Sequence, residues 1–202
     1  MSDFDKKIAE YEGYANSEQK PDPKFLFKLE CDISWLVEIT IAENHRNKNP
    51  KETMKRAERF LQALDLMDRN SATKNYVRSA ARKRCYNAWG RALLMQNQPS
   101  RAYNMFKKAL RIEIADGNTG NFAPRMERVE KDANGCLDAI EQMKQSGYND
   151  WNELLTEFQG VVKLFYPPNL AVVRIEKRIE QIAQEQSVGL IPKGKAFQQG
   201  AK

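Results

Sequence analysis

Outside its carboxylates, this 202-residue chain has few side chains that could do acid–base, nucleophilic or metal chemistry: one histidine and three cysteines. His45 is the one group that titrates near neutral pH without perturbation. It stands in the polar stretch Glu43-Asn44-His45-Arg46-Asn47, which reads as a helix end, so a surface position is expected. Cys31, Cys85 and Cys136 are separated by 54 and 51 residues. An odd number with no close pair fits neither a disulfide framework nor a zinc site. Each falls on an apolar helical stripe, where cysteine serves as a small buried hydrophobe. None of the 27 acidic residues joins a His or Cys motif, and no glycine-rich phosphate loop follows a strand. The expectation is therefore a non-enzyme, with no catalytic residue, no metal and no cofactor.

The chemistry that the spacing does offer is electrostatic. From Asn70 through Ile112 there is no Asp or Glu, while Lys74, Arg78, Arg82, Lys83, Arg84, Arg91, Arg101, Lys107, Lys108 and Arg111 supply ten positive charges. The rest of the chain is mildly acidic, with 23 basic and 27 acidic residues, although the whole carries +6. Solvated helices ordinarily mix signs, because opposite charges one turn apart stabilise them. A run of one sign points to an anionic partner, either an acidic protein surface or peptide, or the phosphates of DNA or RNA. Tyr76, Tyr86 and Tyr103 interleave with the cations and could stack on bases, or pack inside the fold. The acidic helices, with Glu10 and Glu12 early and Glu127, Glu130 and Asp132 later, could instead neutralise the run internally.

Positioning these charges falls to helices. Apolar residues recur at steps of three and four along eight segments, 3–17, 24–45, 50–68, 72–96, 99–116, 124–146, 150–166 and 170–186, separated by short polar stretches. Val37-Glu38-Ile39-Thr40-Ile41 alternates like a strand, but its flanks keep the helical period and no partner strand is present. Asn49, Pro50 and Glu52 read as a capped helix start, Ser71 and Asp150 as further caps, and Gly147 as a stop. Val172, Ile175, Ile179 and Ile182 suit a helix that docks on the body as a cap rather than a dimerising coil. The fold class is all-α, built of antiparallel helical hairpins over one domain, 1–186, with the central hairpin at 72–116 and a flexible tail at 187–202. No apolar run approaches the ~18 residues of a membrane span, and the first residues lack a basic-then-apolar leader. A cytoplasmic protein with no membrane contact is expected.

Residues 83–116 carry a more specific pattern. Tyr86, Trp89, Gly90 and Leu93 on one helix, then Ala102, Phe106, Ala109 and Leu110 on the next, resemble one tetratricopeptide repeat, a helix–turn–helix unit of about 34 residues. The departures are Tyr86 for the first aromatic, Trp89 for the leucine, Leu93 for the tyrosine and Ile114 for the closing proline. The match covers about a sixth of the chain. Weaker echoes place Ala57, Ala102 and Leu154 as equivalents, 45 and 52 residues apart, so the repeats would be irregular and elongated. The resemblance implies a right-handed array in which Gly90 permits close helix approach and Phe106 fills the space between units. It also implies a groove lined by first helices, faced here by Asn87 and Arg91, with Arg84 a turn back. A clamp for an acidic C-terminus would need such residues in several repeats, and the chain offers the pattern once at most.

These readings converge on a protein-interaction scaffold or adaptor that binds an anionic partner through Arg84, Asn87, Arg91, Lys107, Lys108 and Arg111. The alternative is a nucleic-acid-associated protein, such as a replication, transcription or viral assembly factor, using the same basic face on phosphates.

Overall fold

A computed structural model describes residues 2–18, 21–47, 49–70, 76–118, 126–164 and 170–184, and only the backbone at helical positions 45–47, 70, 76, 77, 116–118 and 126–128. Among these the chain forms eight α-helices and no strand: α1 (Asp3–Ala15), α2 (Pro23–Asn47), α3 (Pro50–Asn70), α4 (Tyr76–Met95), α5 (Pro99–Asn118), α6 (Met126–Gln145), α7 (Trp151–Val162) and α8 (Leu170–Gln184). The strand-like Val37–Ile41 segment is helical, since flanking three- and four-residue steps decide its period. Ser71 and the tail beyond Gln184 lie outside the described residues.

The start signals were only partly legible. Ser2, not singled out from sequence, makes a capping box with Asp5, whose carboxylate also accepts from the Ser2 backbone. Asp150 precedes α7 but makes no side-chain cap hydrogen bond. Glu52 turns forward to accept from Arg56 Nε at 2.8 Å, because a charged partner one turn on outcompetes a cap.

Three turns close in the same way. The backbone N–H of Asn49 donates to Asn44 O, that of Gln98 to Leu93 O, and that of Tyr148 to Met143 O, at 3.2, 2.9 and 3.0 Å. Such bonds across five residues satisfy carbonyls orphaned at a helix C-terminus. In the second and third turns the residue before the donor is left-handed, Asn97 at φ 55° and Gly147 at φ 77°, as this cap requires. The hairpins α2–α3, α4–α5 and α6–α7 therefore repeat at 49 and 50 residues. Counted from the turns, Ala57 is equivalent to Phe106 and not to Ala102, its counterpart by sequence pattern. The unit is also much longer than the tetratricopeptide period of about 34 residues.

Even-numbered helices pack on one another in chain order, α2 on α4, α4 on α6 and α6 on α8, while α3, α5 and α7 each bridge two of them and α1 flanks α2 and α3. Two hydrophobic cores result, one from α1 to Ala88 of α4, the other from the end of α4 to α8. Half-buried Trp89 packs against both. Enclosed by α2, α3, α5 and α6, α4 needs small residues where backbones approach, and it carries Ala81, Ala88, Gly90 and Ala92 there, all buried. Phe60, which the sequence reading did not place in the core, is fully buried and meets Tyr11 edge-on at 5.9 Å. In α7 the buried leucine is Leu155, while Leu154 is only partly covered.

The second core turns on one ring. Phe106, on α5, is buried between Gly90 on α4 and Gly135 on α6. A methyl group at Gly90 would lie 2.7 Å from Phe106 Cζ, and one at Gly135 would lie 2.5 Å from its Cδ1 and 2.8 Å from its Cγ. By contrast, Gly13 and Gly160 are exposed helical positions with nothing within 4 Å of an added methyl.

One carboxyl is buried in the first core. Glu30 is inaccessible, accepts from Tyr11 Oη at 2.7 Å, and leaves its Oε2 without a hydrogen-bond partner among the described residues. Desolvation pushes its pKa up to about 7, against the lowering influence of the Tyr11 bond and Arg78.

Two expected outcomes follow from this packing. Gly135→Ala and Gly90→Ala should destabilise the fold by about 1–3 kcal/mol through overpacking, whereas Gly13→Ala and Gly160→Ala should stabilise it by up to about 1 kcal/mol; urea titration of the four variants checks the contrast. For the thiols, Cys85 and Cys136 are buried but Cys31 is only partly covered, because it stands at the edge of the α2 stripe. Burial raises the pKa of all three. Native labelling with a thiol-reactive dye should therefore modify Cys31 alone, slowly at neutral pH, and all three after denaturation.

Candidate functional site

Equivalent positions on successive even helices form a groove. Nine residues before the closing carbonyl of each turn stand Trp35 on α2, Arg84 on α4 and Asn134 on α6; six before stand Glu38, Asn87 and Leu137. Trp35, Glu38, Arg84 and Asn87 line a cavity of about 250 Å³ that is completed by Ala80 and Lys83, by Glu113 from α5, and by Lys131 and Asp132 from α6. On the next helix the series is covered, because Arg178 of α8 donates to Asn134 Oδ1 at 2.9 Å.

The floor is buried and polar. Lys83 forms an ion pair with Glu113, and Asn87 Nδ2 donates to Asp132 Oδ1. Burial raises the Asp132 pKa to about 6, with Glu113 adding to the rise and the Asn87 bond, Lys83 and Lys131 opposing it. The rim is different in kind. Trp35 is 60% exposed although it is one of only three tryptophans, and Arg84 and Lys131 make no ion pair with any described carboxylate. What this arrangement can do is bind: an apolar ring, two cations with the Glu38 carboxylate beside them, and a rigid polar base can hold a segment carrying apolar and acidic groups. Among the described residues no three of His, Cys, Asp and Glu group as a metal site, and no helix is long and apolar enough to cross a membrane.

The structure divides the residues expected at the site. Arg84 lines the cavity. Asn87 lines it too, but is buried with its amide committed to Asp132, so it shapes the floor rather than offering a free donor. Arg91 is exposed on the same side of α4, two turns along, outside the cavity. Lys107 is not free: its Nζ contacts both Glu157 oxygens at 2.8 and 3.1 Å and lies 5.2 Å from the Tyr103 ring centre. Lys108 and Arg111 are exposed on α5 and do not line the cavity, with Lys108 Nζ 5.6 Å from the Tyr86 ring centre.

Much of the basic run is neutralised inside the molecule. Arg78 is buried against Asp68 at 2.6 Å, and Arg82 bridges Asp65 and Asp68 at 2.5 and 2.7 Å. Together with Lys83 and Lys107, four of the ten cations are paired with carboxylates of α3, α5 and α7. Lys74 and Tyr76's side chain lie outside the description. Tyr103 is a packing residue, buried with its hydroxyl 3.1 Å from Glu157. Sequence reasoning missed Trp35, Lys131 and Asp132. The available signal was Trp35 itself, a large aromatic standing off the Leu29, Ile33, Leu36 stripe.

The groove floor should titrate. With its native pKa raised, Asp132 holds a proton between about pH 4 and 6 that the unfolded chain has released. Stability from this group is complete below about pH 4 and is lost as pH rises through 6, on the order of 3 kcal/mol in all. Asp132→Asn keeps an acceptor for Asn87 and removes the titration, so its melting temperature should gain on the wild type as pH rises from 4 to 7; parallel curves would refute the assignment. Comparison with protein-family models, with curated proteins and with solved structures finds no match, so the reading of the groove rests on its own geometry.

Proposed function

We propose that this chain is a non-enzymatic interaction module, a scaffold or adaptor whose even-helix groove takes an acidic, aromatic-compatible segment of a partner protein. The observation that carries the reading is Trp35, left 60% exposed at the mouth of a preformed cavity beside Arg84 and Lys131. Exposed aromatics and arginines next to a pocket are the composition of interface hot spots. A floor already locked by Lys83–Glu113 and Asn87–Asp132 costs little further ordering on binding. Kinship in design with the tetratricopeptide repeat belongs to the same proposal, supported by Gly90 against Phe106 and by the stacked hairpins, with a unit lengthened to 49–50 residues. Unpaired cysteines accord with work in a reducing compartment such as the cytoplasm.

Selection from a displayed random-peptide library tests this. Peptides combining Asp or Glu with a large apolar residue should be enriched. Trp35→Ala and Arg84→Glu should each weaken their binding at least tenfold, with melting temperature unchanged within a few degrees, because both side chains are on the rim. Enriched peptides whose binding ignores both changes, or no enrichment, would refute the groove as the site.

A further inference from the structure

The cations of α5 that the fold leaves unpaired lie in one line. Arg101, Asn104, Lys108 and Arg111 follow at steps of three, four and three, so they share one face of the helix, and all four are exposed. At 1.5 Å per residue they span about 15 Å. The side chains near them hold rather than neutralise them. Arg101 donates to the neutral Gln98 Oε1 at 2.7 Å, and Lys108 rests over Tyr86. Glu157, whose pKa Arg111 helps to lower, is ion-paired with Lys107 and not with Arg111. The exposed faces of α3 and α8 mix signs, with Lys55, Glu58 and Asp65 on one and Arg174, Glu176 and Lys177 on the other. On α5 no exposed described residue is acidic, and no large apolar side chain is exposed.

We infer that this stripe is a second binding surface, separate from the groove, that tracks the phosphate backbone of a nucleic acid. The choice between anionic partners follows from what the surface lacks. A protein interface needs an apolar centre to repay the cost of association. Phosphate binding needs none, because release of condensed counterions drives it. Three cations and an amide donor in a line, without an aromatic or aliphatic anchor, suit regularly spaced phosphates and carry no means of reading bases. Binding is therefore independent of sequence, and its affinity is micromolar or weaker near physiological salt.

Fluorescence anisotropy with a labelled 20-base-pair duplex, titrated across salt concentration, tests this on the full chain. The wild type should bind with a log–log salt slope of about −3, roughly −0.9 for each of three phosphates neutralised. Replacing Arg101, Lys108 and Arg111 together by Gln should bring the slope near zero and weaken binding at least tenfold at about 50 mM salt. Lys108→Gln and Arg111→Gln singly should each reduce the slope by about one, and serve if the triple variant fails to fold. Arg84→Gln with Arg91→Gln should leave the slope unchanged. The inference falls if the duplex does not bind, if the stripe variants keep the wild-type slope, or if the Arg84 and Arg91 changes abolish binding. It also falls if polyglutamate displaces the duplex at equal charge concentration, which would make the stripe a site for acidic proteins.

Discussion

Phe106 sits where three helices could not meet without it. Its ring enters between α4 and α6 at Gly90 and Gly135, and no side chain larger than hydrogen fits at either point. That approach decides how α5 bridges the two even helices, and so how far apart α4 and α6 stand. The groove is the consequence, since Arg84 and Asn87 come from α4 and Lys131 and Asp132 from α6. A buried aromatic wedged between backbones has few alternative rotamers and a close-packed surrounding, so the spacing is rigid rather than adjustable. Binding geometry and core packing are in this way set by the same contact.

Around that contact the molecule handles charge in two ways. Where cations face a neighbouring helix, burial makes an uncompensated charge expensive, and each is met by a carboxylate: Arg78 and Arg82 by α3, Lys83 by α5, Lys107 by α7. Where they face solvent, as on the α5 stripe, water supports them at little cost and no acid is recruited. Buried acids without a full cationic partner, Glu30 and Asp132, instead rise in pKa toward neutrality. The one-signed run in sequence is therefore two populations in space, one structural and one available to partners.

Repetition gives the described fold its continuity. The same turn hydrogen bond recurs at 49 and 50 residues, and each even helix packs on the next. Alpha-helix α8 continues the series with Val172, Ile175, Ile179 and Ile182 turned inward and Arg174, Glu176, Lys177 and Glu180 outward. Leu170 and Val173 are exposed on the same helix. By binding Asn134, Arg178 of the same helix also closes the groove series at α6.

Helix number, helix type and most core positions could be read from residues alone, because the 3.6-residue period of apolar side chains is a local property that burial preserves. The tetratricopeptide resemblance implies a close helix approach at Gly90 and a space-filling role for Phe106, but that the two meet each other is a finding of the structure. Gly135 as the second wall could not be read, since a glycine in an otherwise helical stretch does not disclose what packs on it. Nor could sequence separate Lys107 from Lys108: neighbours in the chain point to different sides of a helix, and only the placement of Glu157, fifty residues on, neutralises one of them. The groove was beyond sequence for the same reason. Trp35, Arg84 and Lys131 lie on three helices, and what joins them is the separation of those helices, a distance fixed by tertiary packing and recorded at no single position in the chain.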